Sequence, residues 1–159
     1  MRFAFGSTLV CAVLAGTSPP ALLAEVASNR VYDSTCALCH QVGAVGLKGQ
    51  FPRLASRVEQ MAKDPQARTY LIQAVLFGIA GRMEVDGVSI VGVMPGAATL
   101  SDADVASVLT YLARLGERRG KPAQAFTVAE IEAIRGAGPL TPSPVMARRA
   151  LLVAEGRIP

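Results

Sequence analysis

Residues Cys36-Ala37-Leu38-Cys39-His40 set two cysteines three positions apart and put a histidine directly behind the second. The chain has three cysteines and this one histidine, so most of its metal- and thiol-chemistry is gathered in five residues. Three chemistries use such a cluster: a redox dithiol, part of a zinc site, or thioether attachment of a haem. A structural zinc site takes four ligands, usually with a second Cys or His pair. No second pair exists here. A thioredoxin-like dithiol sits at a strand-to-helix junction of a βαβ unit. Here a helical stretch precedes the cluster, a glycine loop follows it, and parallel-strand runs are absent. The haem reading uses every residue. Each thiol adds to a porphyrin vinyl group, and the spacing of two suits the vinyl separation. The adjoining histidine is placed to become the proximal iron ligand, which makes C-x-x-C-H the pattern of c-type haem attachment.

A haem iron has a second axial position, and a methionine sulfur there favours the reduced iron. The candidates are Met61, Met83, Met94 and Met146. Met94 stands first. It falls in a loop read over residues 91–96, Pro95 stiffens the chain behind it, and a capped helix opens seven residues on at Ser101. Met83, at the start of a hairpin, is second. The competing reading is that Met94 fills a gap in the core, as methionine often does. Without a methionine on the iron, the chain becomes a ligand-binding or sensor haem protein with an open sixth position. A di-haem peroxidase would need a second C-x-x-C-H, which the sequence lacks.

The elements that must hold these residues read as helices joined by glycine-rich loops. Residues 25–38 form a helix ending at the cysteine cluster, and residues 41–50, with three glycines, form a loop. Asp64-Pro65 fits an N-cap with proline in the first turn. The helix behind it carries Leu71, Ala74 and Val75 at helical spacing and ends at Gly78 or Gly81. Asp86-Gly87 between residues 83–85 and 88–90 reads as a tight hairpin. Ser101 opens the clearest helix, with Val105, Val108, Leu109, Leu112 and Leu115 as its apolar stripe and Gly116 as its stop. Thr127 and Glu130 make a capping box before Ile131 and Ile134. Pro139, Pro142 and Pro144 predict an extended linker, and residues 145–155 a last helix bearing Arg148 and Arg149.

The 159 residues suffice for one domain with a real core, and 51% of them are hydrophobic. Residues 3–15 form an apolar run behind Arg2, broken by Gly16 to Pro20, with a small residue at Ala24. That pattern reads as a secretory signal over residues 1–24, or, if uncut, as a membrane anchor. The region 25–116 is neutral, with eight charges of each sign. Residues 117–159 hold seven basic and four acidic residues, so the excess positive charge after the signal lies in this tail. It is a candidate for docking on an acidic partner or on anionic lipid.

With these residues in view, the region from about 26 to 116 resembles a class I c-type cytochrome. The features are Cys36 to His40, Phe51-Pro52-Arg53-Leu54 after a glycine loop, Met94-Pro95 past mid-chain, and Leu109-Thr110-Tyr111-Leu112 in a closing helix. The stretch from Gly87 to Leu112 is similar to small cytochrome subunits that accept electrons from periplasmic quinoprotein alcohol and aldehyde dehydrogenases. The resemblance implies an all-α fold around one covalently bound haem c, with a small β-hairpin and a C-terminal tail. It implies that the Pro52 carbonyl accepts from His40, and that Tyr32 and Tyr111 meet where the terminal helices cross. Arg53, after Pro52, is the first candidate to reach a haem propionate, ahead of Arg57 and Arg82. The first helix departs from the family pattern, since Ser28 to Tyr32 lacks the glycine often found there. The implied function is electron transfer without catalysis, in the periplasm. A dehydrogenase would be the donor, and another cytochrome or a terminal oxidase the acceptor.

Overall fold

The computed structural model describes residues 30–115 and 120–159. The expected secretory segment 1–24, the first residues of the opening helix and Gly116 lie outside them. The first described helix, α1, is a π-helical turn over Tyr32–Cys36 that runs into an α-helical turn over Ala37–His40. It therefore continues through the cysteine cluster to the histidine. Helix α2, Arg57–Met61, is a single short turn that the sequence pattern did not signal.

Helix α3 spans Pro65–Phe77. Asp64 caps it by accepting from the amides of Gln66 (2.8 Å) and Ala67 (3.0 Å), and Gly78 closes it. Helix α4 spans Asp102–Leu112, capped by Ser101, which accepts from the Asp104 amide at 3.1 Å. Val105, Val108, Leu109 and Leu112 are buried, as their spacing predicts, and each contributes about 1.5–3 kcal/mol of burial.

Strands β1, Ile79–Val85, and β2, Val88–Met94, form one antiparallel hairpin. Asp86 (φ 52°) and Gly87 (φ 72°) both take positive φ at the turn, as a type I′ hairpin requires. The hairpin is longer than the pattern suggested. Residues 91–94, expected as loop, pair with β1 down to Ile79↔Met94. Facing glycines, Gly81↔Gly92, interrupt the apolar alternation there and hide the strand in the sequence.

Beyond residue 120 lie helix α5, Val128–Gly136, and helix α6, Pro142–Ala154. The Thr127–Glu130 capping box is complete. Pro142 and Pro144, expected in an extended linker, instead form the first turn of α6. Proline is tolerated there because the first amides of a helix have no intrahelical acceptor. Helix α5 packs on α3 and α4, and α6 packs on α3 and β1. Ile131, Val145 and Leu152 join the same core as Tyr32, Val58, Ile72 and Leu109.

Candidate haem-binding site

These elements enclose a cavity of about 440 Å³. Cys36, Cys39 and His40 line one side of it. Met94 and Met83 line the hairpin wall, and Leu71, Val108 and Leu109 supply apolar surface from α3 and α4. Residues alternate across a strand, so Ile79, Met83 and Val85 of β1 share a face with Ile90 and Met94 of β2.

His40 is 5% exposed, and its Nδ1 lies 2.9 Å from the Pro52 carbonyl oxygen. A carbonyl only accepts, so Nδ1 carries the proton. Burial pushes the imidazole pKa down, with the Pro52 carbonyl opposing. The neutral ring then keeps its lone pair on Nε2, the nitrogen a metal would take. Gly46 makes this contact possible. At φ 70° its backbone packs so closely on residues 51–53 that a Cβ would stand 2.6 Å from the Phe51 oxygen.

Directly after His40, Gln41 holds φ 63° and ψ 161°, a region used almost only by glycine. The Tyr32 hydroxyl donates to its carbonyl at 2.7 Å, and its amide donates to Ala37 at 2.9 Å. The strained turn sends the chain away from α1 and leaves His40 at the cavity wall. The Tyr32 and Tyr111 rings pack in a tilted pair, 5.6 Å apart at an angle of 51°, joining α1 to α4.

The Cys36 thiol is pushed up to about 11, first by burial and then by Cys39. A redox dithiol needs a depressed thiol pKa to form its attacking thiolate. This environment does the reverse. Among the described residues, no group of His, Cys, Asp and Glu is placed to hold a metal ion by itself.

Met94 ends β2 rather than sitting in a free loop, and it is half-buried. Gly78 (φ 81°) brings the end of α3 against it, since a Cβ there would lie 2.5 Å from the Met94 oxygen. Met83 and Met61 also line the cavity, whereas Met146 does not.

Arg53 lines the cavity but is engaged by Asp86 (3.3 Å) and by the Ala55 carbonyl (2.8 Å). Arg57 bonds Asp86 at 3.1 Å and the Pro159 carbonyl at 2.8 Å. Arg82 points elsewhere, donating to Ser89 at 3.0 Å on the exposed face of the hairpin. Sequence reasoning missed Tyr70 and Arg149 as cavity residues. A signal for Arg149 did exist. It lies four residues after Val145 and three before Leu152, in the buried stripe of α6.

Residues 25–112 match the family described as cytochrome c oxidase, cbb3-type, subunit III. Two curated relatives from Thermus thermophilus, both named cytochrome c-552, are similar over most of the chain. One is 36% identical over 132 residues, which is 82% of this chain and 88% of the relative. The other is 38% identical over 119 residues, 74% of this chain and 90% of the relative. The paired thiols, the adjoining histidine and the apolar cavity between them fit the cofactor these proteins share. The chain thus belongs to the cytochrome c family, as a mono-haem c-type cytochrome that carries electrons on covalently bound haem c.

Proposed function

We propose that this cytochrome carries one electron on a haem c joined to Cys36 and Cys39 and ligated by His40 and Met94. Bound haem supplies the one-electron Fe(II)/Fe(III) chemistry. The chain's own residues hold it and shield it from water. The observation that carries this reading is the His40–Pro52 bond, which fixes the tautomer and leaves Nε2 as donor, with Met94 on the wall of the same cavity. With His40 and Met94 holding the haem from its two sides, no position would be left on it for a substrate.

The apolar run at residues 3–15 supports export and a periplasmic role. The resemblance of the stretch from Gly87 to Leu112 supports a dehydrogenase as donor, and the family's description supports a terminal oxidase as acceptor. Leu38, Val42 and Val45 are 87%, 82% and 59% exposed, and they give the cysteine cluster an uncharged rim for close approach of such partners. Three of the five described basic residues of the tail are engaged within the molecule. Arg135 binds Asp102 at 2.7 Å, Arg157 binds Asp64 at 2.8 Å, and Arg149 is buried. Lys121 and Arg148 are its described basic residues left for a partner or an anionic lipid surface.

Oxidised protein matured in a periplasm tests the ligand set through the long-wavelength charge-transfer band of an Fe(III)–methionine bond. The band should appear in the native chain and in Met83→Ala, and vanish in Met94→Ala. The reverse pattern would give the sixth position to Met83. A native chain without the band would favour the ligand-binding alternative.

A further inference from the structure

Three guanidinium groups meet at one end of the cavity. Arg53 and Arg57 come from the segment at the start of α2, and Arg149 reaches in from α6. Arg57 and Arg149 are each 8% exposed. The carboxylate paired with this group is Asp86 at the hairpin turn, bound to Arg53 and Arg57. Arg53 and Arg57 share Asp86, and Arg57 also donates to an oxygen of Pro159, the last residue of the sequence, at 2.8 Å. Arg149 donates to the Glu84 carbonyl at 3.0 Å and has no carboxylate partner among the described residues.

Tyr70, 5% exposed, lines the same end. Burial pushes its phenol pKa up, while the Arg149 and Arg57 charges and a hydrogen bond from Arg149 oppose the shift. Burial also lowers the Arg57 pKa, Asp86 opposes it, and the charges of Arg149 and Arg53 add to the lowering. Arg57 and Arg149 are thus like charges held together out of water, and while Asp86 offsets the first, the second stays unfavourable until an anion joins it. A guanidinium fork suits a carboxylate in particular. Haem c brings two carboxylates on one edge, and either would give Arg149 the anionic partner it lacks among the described residues.

We propose that Arg149 binds a haem propionate beside Arg57 and Tyr70, so that helix α6 and the cofactor hold each other in place. This rests on the haem reading above. Helix α6 lies beyond the residues 25–112 matched by the family. A cation held on the propionate favours the reduced iron, so Arg149 is a positioning residue that also sets the potential.

The test is a redox titration of full-length protein matured in a periplasm, comparing Arg149→Gln, Arg149→Lys and Arg148→Gln. Haem content per chain is read separately, and native protein without haem would sink the haem reading itself. With haem bound, Arg149→Gln should lower the reduced-to-oxidised ratio at a fixed poise about tenfold, or ~59 mV for a one-electron couple. Arg148→Gln loses the same charge one residue away and should change the ratio less than about twofold. Arg149→Lys keeps the charge and should recover part of the loss. Equal shifts in Arg149→Gln and Arg148→Gln, or no shift in the former, would overturn the proposal. Should Arg149→Gln fail to fold, Arg149→Lys decides. A loss of about twofold supports the contact, because lysine lacks the planar fork, and no loss overturns it.

Discussion

Gln41 is the residue where strain and function meet. Its φ 63°, ψ 161° conformation costs about 1–3 kcal/mol and is held by the Tyr32 hydroxyl and the Ala37 carbonyl. Glycine adopts it freely, at an entropic cost of about 0.5–1 kcal/mol. Gln41→Gly should therefore raise the thermal midpoint by a few degrees, about 2–4 °C per kcal/mol in a chain of this size. A lowered midpoint in a calorimetric scan would show that the conformation is not strained. Gly78 is the opposite case. At φ 81° and ψ 176°, with the Met94 carbonyl 2.5 Å from any added Cβ, Gly78→Ala should cost about 2 kcal/mol or more and displace Met94. A urea melt reads the stability, and the iron–methionine band reads the ligand. The two thiols and His40 were legible in the sequence because thioether chemistry needs them contiguous. The Pro52 contact spans twelve positions and came only through the resemblance. Arg149 stands more than a hundred positions from the cysteines, and no local pattern ties it to them.

At the scale of elements, the caps were the readable part. Asp64, Ser101 and Thr127 each accept the amide bonds that their sequence context implies. Helix α2 was not readable, being five residues long with Ser56 at φ 64° and no side-chain cap. The prolines of α6 misled because the same residue that breaks a helix interior also starts a helix. Helix α5 is fastened by Glu130, which accepts from Arg68 at 2.9 Å and from the Thr127 amide at 2.8 Å. Burial alone would raise its pKa, but the Arg68 and Thr127 hydrogen bonds outweigh that and hold it below the ordinary value of 4.5. A depressed carboxylate contributes stability above its unfolded pKa and loses it as pH falls through the folded value. Glu130→Gln should cost about 0.5–1 kcal/mol at neutral pH through the Arg68 ion pair, because glutamine keeps the cap and the carboxylate is 37% exposed. The gap between native and variant midpoints should narrow as pH falls below 4.5. A gap that stays constant down to strongly acid pH would mean that the charge does not fasten the helix.

Over the whole molecule, the helices close around a space that no side chain fills. The cavity of about 440 Å³ is lined largely by apolar side chains, which gain packing partners when a large apolar group sits among them. The cofactor is thus the missing part of the core, and the double variant Cys36→Ser, Cys39→Ser should lose its sharp cooperative thermal transition. A transition as sharp and as high as that of the native holoprotein would show that the fold stands without covalent haem. An all-α chain with a hairpin was legible from periodicity and turn chemistry. That α5 and α6 complete the core was not, because their buried faces show only a few apolar residues apiece and their partners lie on α3, α4 and β1.

The visible spectrum of reduced protein matured in a periplasm, recorded with and without carbon monoxide, bears most directly on the central claim. A low-spin c-type spectrum that carbon monoxide leaves unchanged is the result this account predicts, with His40 and Met94 closing both faces of the iron. A spectrum that shifts on adding carbon monoxide would contradict it, leaving the sixth position open and moving gas binding ahead of electron transfer.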